Sequence, residues 1–68
     1  MTIELNGRPV ELTDHATLAD AVGEAGVDRE ARGVAAAVDG QVVPRGEWDR
    51  LALRDGQSVE VVGAVQGG

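Results

Sequence analysis

The chain has 68 residues, room for one domain with one modest core, since a chain of this size buries only about 60% of the surface its unfolded form exposes. It contains no cysteine, which excludes disulfides, a thiolate metal site and a thiol carrier, and no run approaches the roughly 18 apolar residues of a membrane span. Twelve acidic residues against six basic ones give a formal charge of −6, a field that repels phosphate backbones and anionic lipid and argues against nucleic-acid binding.

Along the chain, Ile3 and Leu5 alternate with Thr2 and Glu4, Asn6-Gly7 supplies a strong short hairpin signal, and Val10 and Leu12 alternate with Glu11. This predicts a β-hairpin. Pro9 lacks a ladder donor and belongs on an edge strand or at a strand's first position. Asp14-His15-Ala16 is a connector. From Thr17 the period lengthens. Thr17 and Asp20 form a cap of the Ser/Thr-x-x-acid kind, Leu18, Ala21, Val22 and Ala25 share one face, and Gly26 followed by Val27 is a left-handed stop with its closing apolar contact. Gly23 inside this helix costs about 1 kcal/mol relative to Ala, so the helix must depend on packing against a sheet.

After a polar link, Val34-Ala35-Ala36-Ala37-Val38 is a five-residue apolar run between Gly33 and the turn dipeptide Asp39-Gly40, which predicts a buried central strand. Gln41-Val42-Val43 follows and is stopped by Pro44-Arg45-Gly46. Glu47-Trp48-Asp49-Arg50 reads as a loop or single helical turn, and Leu51 and Leu53 as a further short apolar segment. Asp55-Gly56 turns into a last strand, Ser58-Val59-Glu60-Val61-Val62, with Val59 and Val61 inward and Glu60 outward.

Hairpin, helix and then several short strands read as an α+β fold with one main helix on one face of a small mixed sheet. With the first and last strands side by side at the sheet's centre, this is the β-grasp, or ubiquitin-like, arrangement. Residues 1–62 then form the domain and 63–68 a flexible Gly-Gly tail, which fully extended reaches roughly 20 Å.

Catalytic groups are scarce. His15 is the single histidine, there is no Cys or Tyr, and the acidic pairs Asp28 with Glu30 and Glu47 with Asp49 read as solvated surface. No calcium loop or phosphate-binding loop is present, and no metal site is expected. All six cations are arginines, so no Lys side chain can accept an isopeptide bond. Without a basic leader, a cytoplasmic location is expected. Trp48, the one aromatic residue, reads as an edge cap of the aliphatic core, or else as an anchor for a partner, where Trp is over-represented. Val62 and Val65 flank the tail, and strand alternation turns at least one of them outward.

The chain ends Gly67-Gly68, a pair that chance places at about 0.5% of termini at the average Gly frequency of roughly 7%. Residues without Cβ pass through a channel too narrow for other types. From the Asn6-Gly7 hairpin through Val42-Val43-Pro44-Arg45, Trp48 and Leu53-Arg54-Asp55-Gly56 to Ala64-Val65-Gln66-Gly67-Gly68, the chain resembles the thiamine-biosynthesis sulfur carrier family, ThiS. The Val-Pro-Arg followed by Trp and the terminal Val-Gln-Gly-Gly are the specific parts.

The resemblance implies a protein co-substrate that is not itself an enzyme. A ThiF-like adenylyltransferase, using ATP and Mg²⁺, would convert the Gly68 carboxylate to an acyl-adenylate. Sulfur from a cysteine desulfurase or other donor would then give a thiocarboxylate on Gly68, which serves thiazole synthase, ThiG. Val65, Gln66 and Gly67 would thread the partner's active site, Val62 and Trp48 would contribute to docking, and the free carrier would be a monomer. The small subunit of molybdopterin synthase, a carrier for cysteine synthesis, and a ubiquitin-like modifier or interaction module are the alternatives.

Overall fold

A computed structural model describes residues 1–28 and 30–63. Strands β1 (Thr2–Leu5) and β2 (Arg8–Glu11) form the expected hairpin, with Asn6 at φ 51° and Gly7 at φ 83° supplying the two left-handed positions of its tight turn. Pro9 lies opposite Glu4 on β2, an edge strand, where its missing N–H costs no ladder bond.

Helix α1 (Leu18–Glu24) starts at the expected cap: the Asp20 carboxylate accepts from the Thr17 amide at 2.9 Å and from its hydroxyl at 3.3 Å. The next free amides are satisfied from across the fold, Leu18 N–H donating to Leu51 O at 2.9 Å and Ala19 N–H to Trp48 O at 3.1 Å. Gly26, at φ 82°, closes the helix, and Val27 packs against the core as its position implies.

The sheet order is β2-β1-β5-β3-β4, with β3 at Ala35–Val38, β4 at Gln41–Val42 and β5 at Ser58–Val62. β1 and β5 run parallel at its centre, with Leu5 beside Val59, and every other pair is antiparallel. This is the β-grasp arrangement. Ile3, Leu5, Val59, Val61 and Ala36 face the helix residues Leu18, Ala21 and Val22, and Ile3, Leu18, Val22 and Val59 are fully enclosed. Each such aliphatic side chain contributes about 1.5–3 kcal/mol on leaving water, which offsets the poor helix propensity at Gly23.

One expectation needs correction. β3 lies inside the sheet but is not buried on both faces: Ala36 is buried while Ala35 is exposed. A single helix covers only one face of the sheet, so the apolar run reflects small alanines tolerated on an open face. The segment Leu51-Ala52-Leu53 forms no strand of its own; Ala52 makes a single bridge to Thr17, and Leu53 N–H donates to Ala16 O at 2.9 Å. The segment before it contains a 3₁₀ turn at Arg45–Glu47.

Candidate functional site

β5 carries the chain toward its carboxyl end. Val59 and Val61 point into the core, Glu60 and Val62 point to the open face, and Gly63 lies beside Val27 at the end of the helix. Past Leu5, the parallel ladder between β1 and β5 is continued by Asn6 alone. Its amide N–H donates to Val59 O at 2.9 Å. Its side chain then receives Val61 N–H on Oδ1 at 2.8 Å and donates from Nδ2 to Val61 O at 3.2 Å.

Two large hydrophobic residues are exposed among those described, Val42 at 75% and Val62 at 65%, and strand alternation sets both on the face opposite the helix. Val62 pairs with Ala35, and Ala37 lies between Val42 on one side and Glu60 on the other. The result is an apolar strip of Ala35, Ala37, Val42 and Val62 bordered by Glu60, with Glu4 farther across the sheet. Of the residues expected to contribute to docking, Val62 is therefore on an open surface. Val42 was not singled out in the sequence, because the Val42-Val43 doublet shows no alternation to reveal which of the two faces outward.

Trp48 does not share that surface. It is only 3% exposed, its indole Nε1 donates to Val43 O at 2.9 Å, and the Arg45 guanidinium covers the ring at 4.9 Å from its centroid. Arg45 in turn donates to Ala31 O. The Val-Pro-Arg followed by Trp is thus a structural unit: Trp48 closes the core edge and its carbonyl caps the helix, which leaves the indole no free face to offer a partner.

Charged groups elsewhere on the surface serve local structure. Asp39, in the turn between β3 and β4, accepts from Ser58 N–H at 3.0 Å and from Gln57 Nε2 at 3.1 Å, and these bonds, with a smaller contribution from the Arg54 charge, hold its carboxyl below the usual carboxylate range. Asp28 Oδ1 accepts from Glu30 N–H at 2.9 Å, an ordinary turn bond. His15 is exposed in the connector before the helix. Among the described residues no group of three or more His, Cys, Asp or Glu is placed to hold a metal ion, and no helix is long and apolar enough to cross a membrane. The expected tail residues Val65, Gln66, Gly67 and Gly68 lie outside the described residues.

Solved structures similar to the whole chain include the following two. A crystal structure of the thiamine biosynthesis protein ThiS from Geobacter metallireducens is 24% identical with a TM-score of 0.76, each chain covered over its full length. An NMR structure of a thiamine biosynthesis protein from Geobacter metallireducens is 26% identical with a TM-score of 0.79 and is covered over 88% of its length. Among curated proteins none matches the chain. The model of the ThiS family matches residues 3–68, from the first strand to the last glycine, and the chain belongs to the ThiS family.

Proposed function

We propose that the protein is the sulfur carrier of thiamine biosynthesis and that the carboxyl group of Gly68 is its reactive group. Family membership over residues 3–68, a match that runs through Gly67-Gly68, carries this reading. The described geometry supports it. The last strand lies at the centre of the sheet, paired with β1 on one edge and β3 on the other, and ends beside an open apolar strip.

A carboxylate is a poor acyl donor, because it is anionic and its leaving group would be oxide. In the proposed reaction a Gly68 carboxylate oxygen attacks the α-phosphorus of ATP on a ThiF-like adenylyltransferase. Pyrophosphate leaves with the electron pair of the broken phosphoanhydride bond, and Mg²⁺ bound with ATP neutralises that charge. Sulfur at the hydrosulfide level then adds to the acyl carbon, AMP departs, and a thiocarboxylate remains for transfer to the thiazole synthase ThiG. The catalytic side chains in this scheme belong to the partners. Val65, Gln66 and Gly67 thread the partner's site, and Gly67 offers no side chain to obstruct it. The strip containing Val42 and Val62 is the docking surface, since exposed apolar area beside a deliverable group marks an interaction site.

The test is mass spectrometry of the protein recovered from cells and of the protein incubated with a ThiF-like enzyme and MgATP. Expected are an acyl-adenylate in vitro and replacement of one terminal oxygen by sulfur in vivo, with both lost on deletion of Gly68. An isopeptide bond from Gly68 to a lysine of another protein would replace the carrier reading with a modifier. Thiamine-independent growth of a strain carrying only the Gly68 deletion would exclude the thiamine pathway.

A further inference from the structure

We propose that the Asn6 side chain, together with the close packing of Gly63 on Val27, forms a clamp that fixes where and in what direction the reactive tail leaves the domain. The inference rests on the carrier reading above and adds positioning residues to it.

Three observations carry it. First, the hairpin turn at Asn6-Gly7 ends β1, yet β5 continues to Val62. Without a substitute, Val61 would have no neighbour on its β1 side. Asn6 supplies both the donor and the acceptor that a further strand residue would have supplied, at 3.2 and 2.8 Å. Turn formation does not require this arrangement: left-handed backbone at the first turn position is open to Gly and Asp as well, and the amide group is the part that only Asn brings.

Second, Gly63 is not a conformational glycine. It is absent from the positive-φ positions that account for Gly7, Gly26, Gly33, Gly40 and Gly56, so alanine would be permitted by its backbone. Space is the constraint that remains: a methyl group there would come 3.1 Å from Val27 Cγ1, tighter than ordinary contact, so Val27 would have to yield by a few tenths of an ångström. Third, the two contacts lie two residues apart on the exit path, at Val61 and Gly63 on either side of Val62, and come from the two elements that flank it, the hairpin turn and the end of the helix.

Five residues beyond Gly63 span at most about 17 Å. A tilt of about 10° at the exit displaces the end of a segment that long by about 3 Å. When the domain is held by its open face, such a displacement must be absorbed within the partner's channel. Misplacement of about 1 Å at a reacting centre can cost on the order of 100-fold in rate. A clamp at the exit therefore acts on the productive fraction of docked carrier and leaves docking itself unchanged.

Pyrophosphate release by a ThiF-like adenylyltransferase, measured at varied carrier concentration, separates the two. Asn6→Gly keeps the turn and removes the amide. Faster exchange of the Val61 amide hydrogen is expected, with kcat reduced about tenfold and KM for the carrier within about twofold. Asn6→Asp retains the acceptor and should fall between. Gly63→Ala should lower kcat, and Val27→Ala in the same chain should restore it by reopening the space. A scaffold role alone would lower thermal stability without moving kcat or showing this rescue.

Wild-type kcat in both Asn6→Gly and Gly63→Ala would overturn the clamp while leaving the carrier reading intact. Should Asn6→Gly fail to fold, the Gly63→Ala and rescue pair decides alone. An inert wild-type protein would overturn the carrier reading, and the clamp with it.

Discussion

Asp39 shows how a single exposed carboxylate can have a definite role in stability. Its folded pKa lies below the ordinary 3.8, first through the Ser58 amide and then through Gln57, so the charged form is favoured by folding. The contribution is fully present above the unfolded pKa and is lost as pH falls through the lowered folded value. Asp39→Asn keeps a side chain suited to φ 49° and removes the charge. The wild type should be the more stable of the two near pH 6, with the difference disappearing near pH 2 in urea unfolding curves. A gap that is independent of pH would assign the effect to shape alone. Gln57 and Ser58 are both held by this carboxylate, which ties the start of β5 to the turn of the β3–β4 hairpin.

Elements differ in how openly the sequence declares them. The Asn6-Gly7 hairpin, the helix from its Thr17 cap to Gly26, and the alternation of β5 are local patterns, and each is found where its pattern lies. What could not be read locally depends on partners distant in sequence. The open side of β3 follows from the presence of one helix only, and Ala52 meets Thr17 through a bridge that neither segment announces. The same holds for the site. Val62 could be placed outward from its neighbours Val59 and Val61, whereas the turn fully accounts for Asn6-Gly7 and so concealed the second use of the Asn6 amide. Gly63 carries no local signal either, since its reason is a neighbour from the helix end. Two glycines test this distinction. Gly23→Ala, on an exposed helical site with open space, should stabilise by about 0.5–1 kcal/mol. Gly26→Ala has equal space but φ 82° and should destabilise by roughly 1 kcal/mol or more, both read from thermal or urea midpoints. Equal effects at the two sites would show that backbone conformation is not what separates them.

For the whole molecule, charge and topology set how it meets a partner. A net charge of −6 on so small a chain gives a long-range field that favours encounter with basic surfaces. Association with an activating enzyme should therefore slow several-fold between about 0.05 and 0.5 M salt, with little change in dissociation. A stopped-flow rate that does not depend on salt would remove charge from the encounter. The central pairing has a consequence for assembly as well. Asn6 and Val61 are 55 residues apart in sequence, so the contact that holds the exit closes a loop comprising most of the chain. Closing so long a loop costs entropy before any contact compensates it, and such pairings belong to slowly folding topologies. A nascent or truncated chain ending before β5 has every turn and the helix in its sequence but lacks Val61, and with it the completed exit. Formation of the exit is thereby coupled to completion of the chain, since Val61 enters only with the last strand.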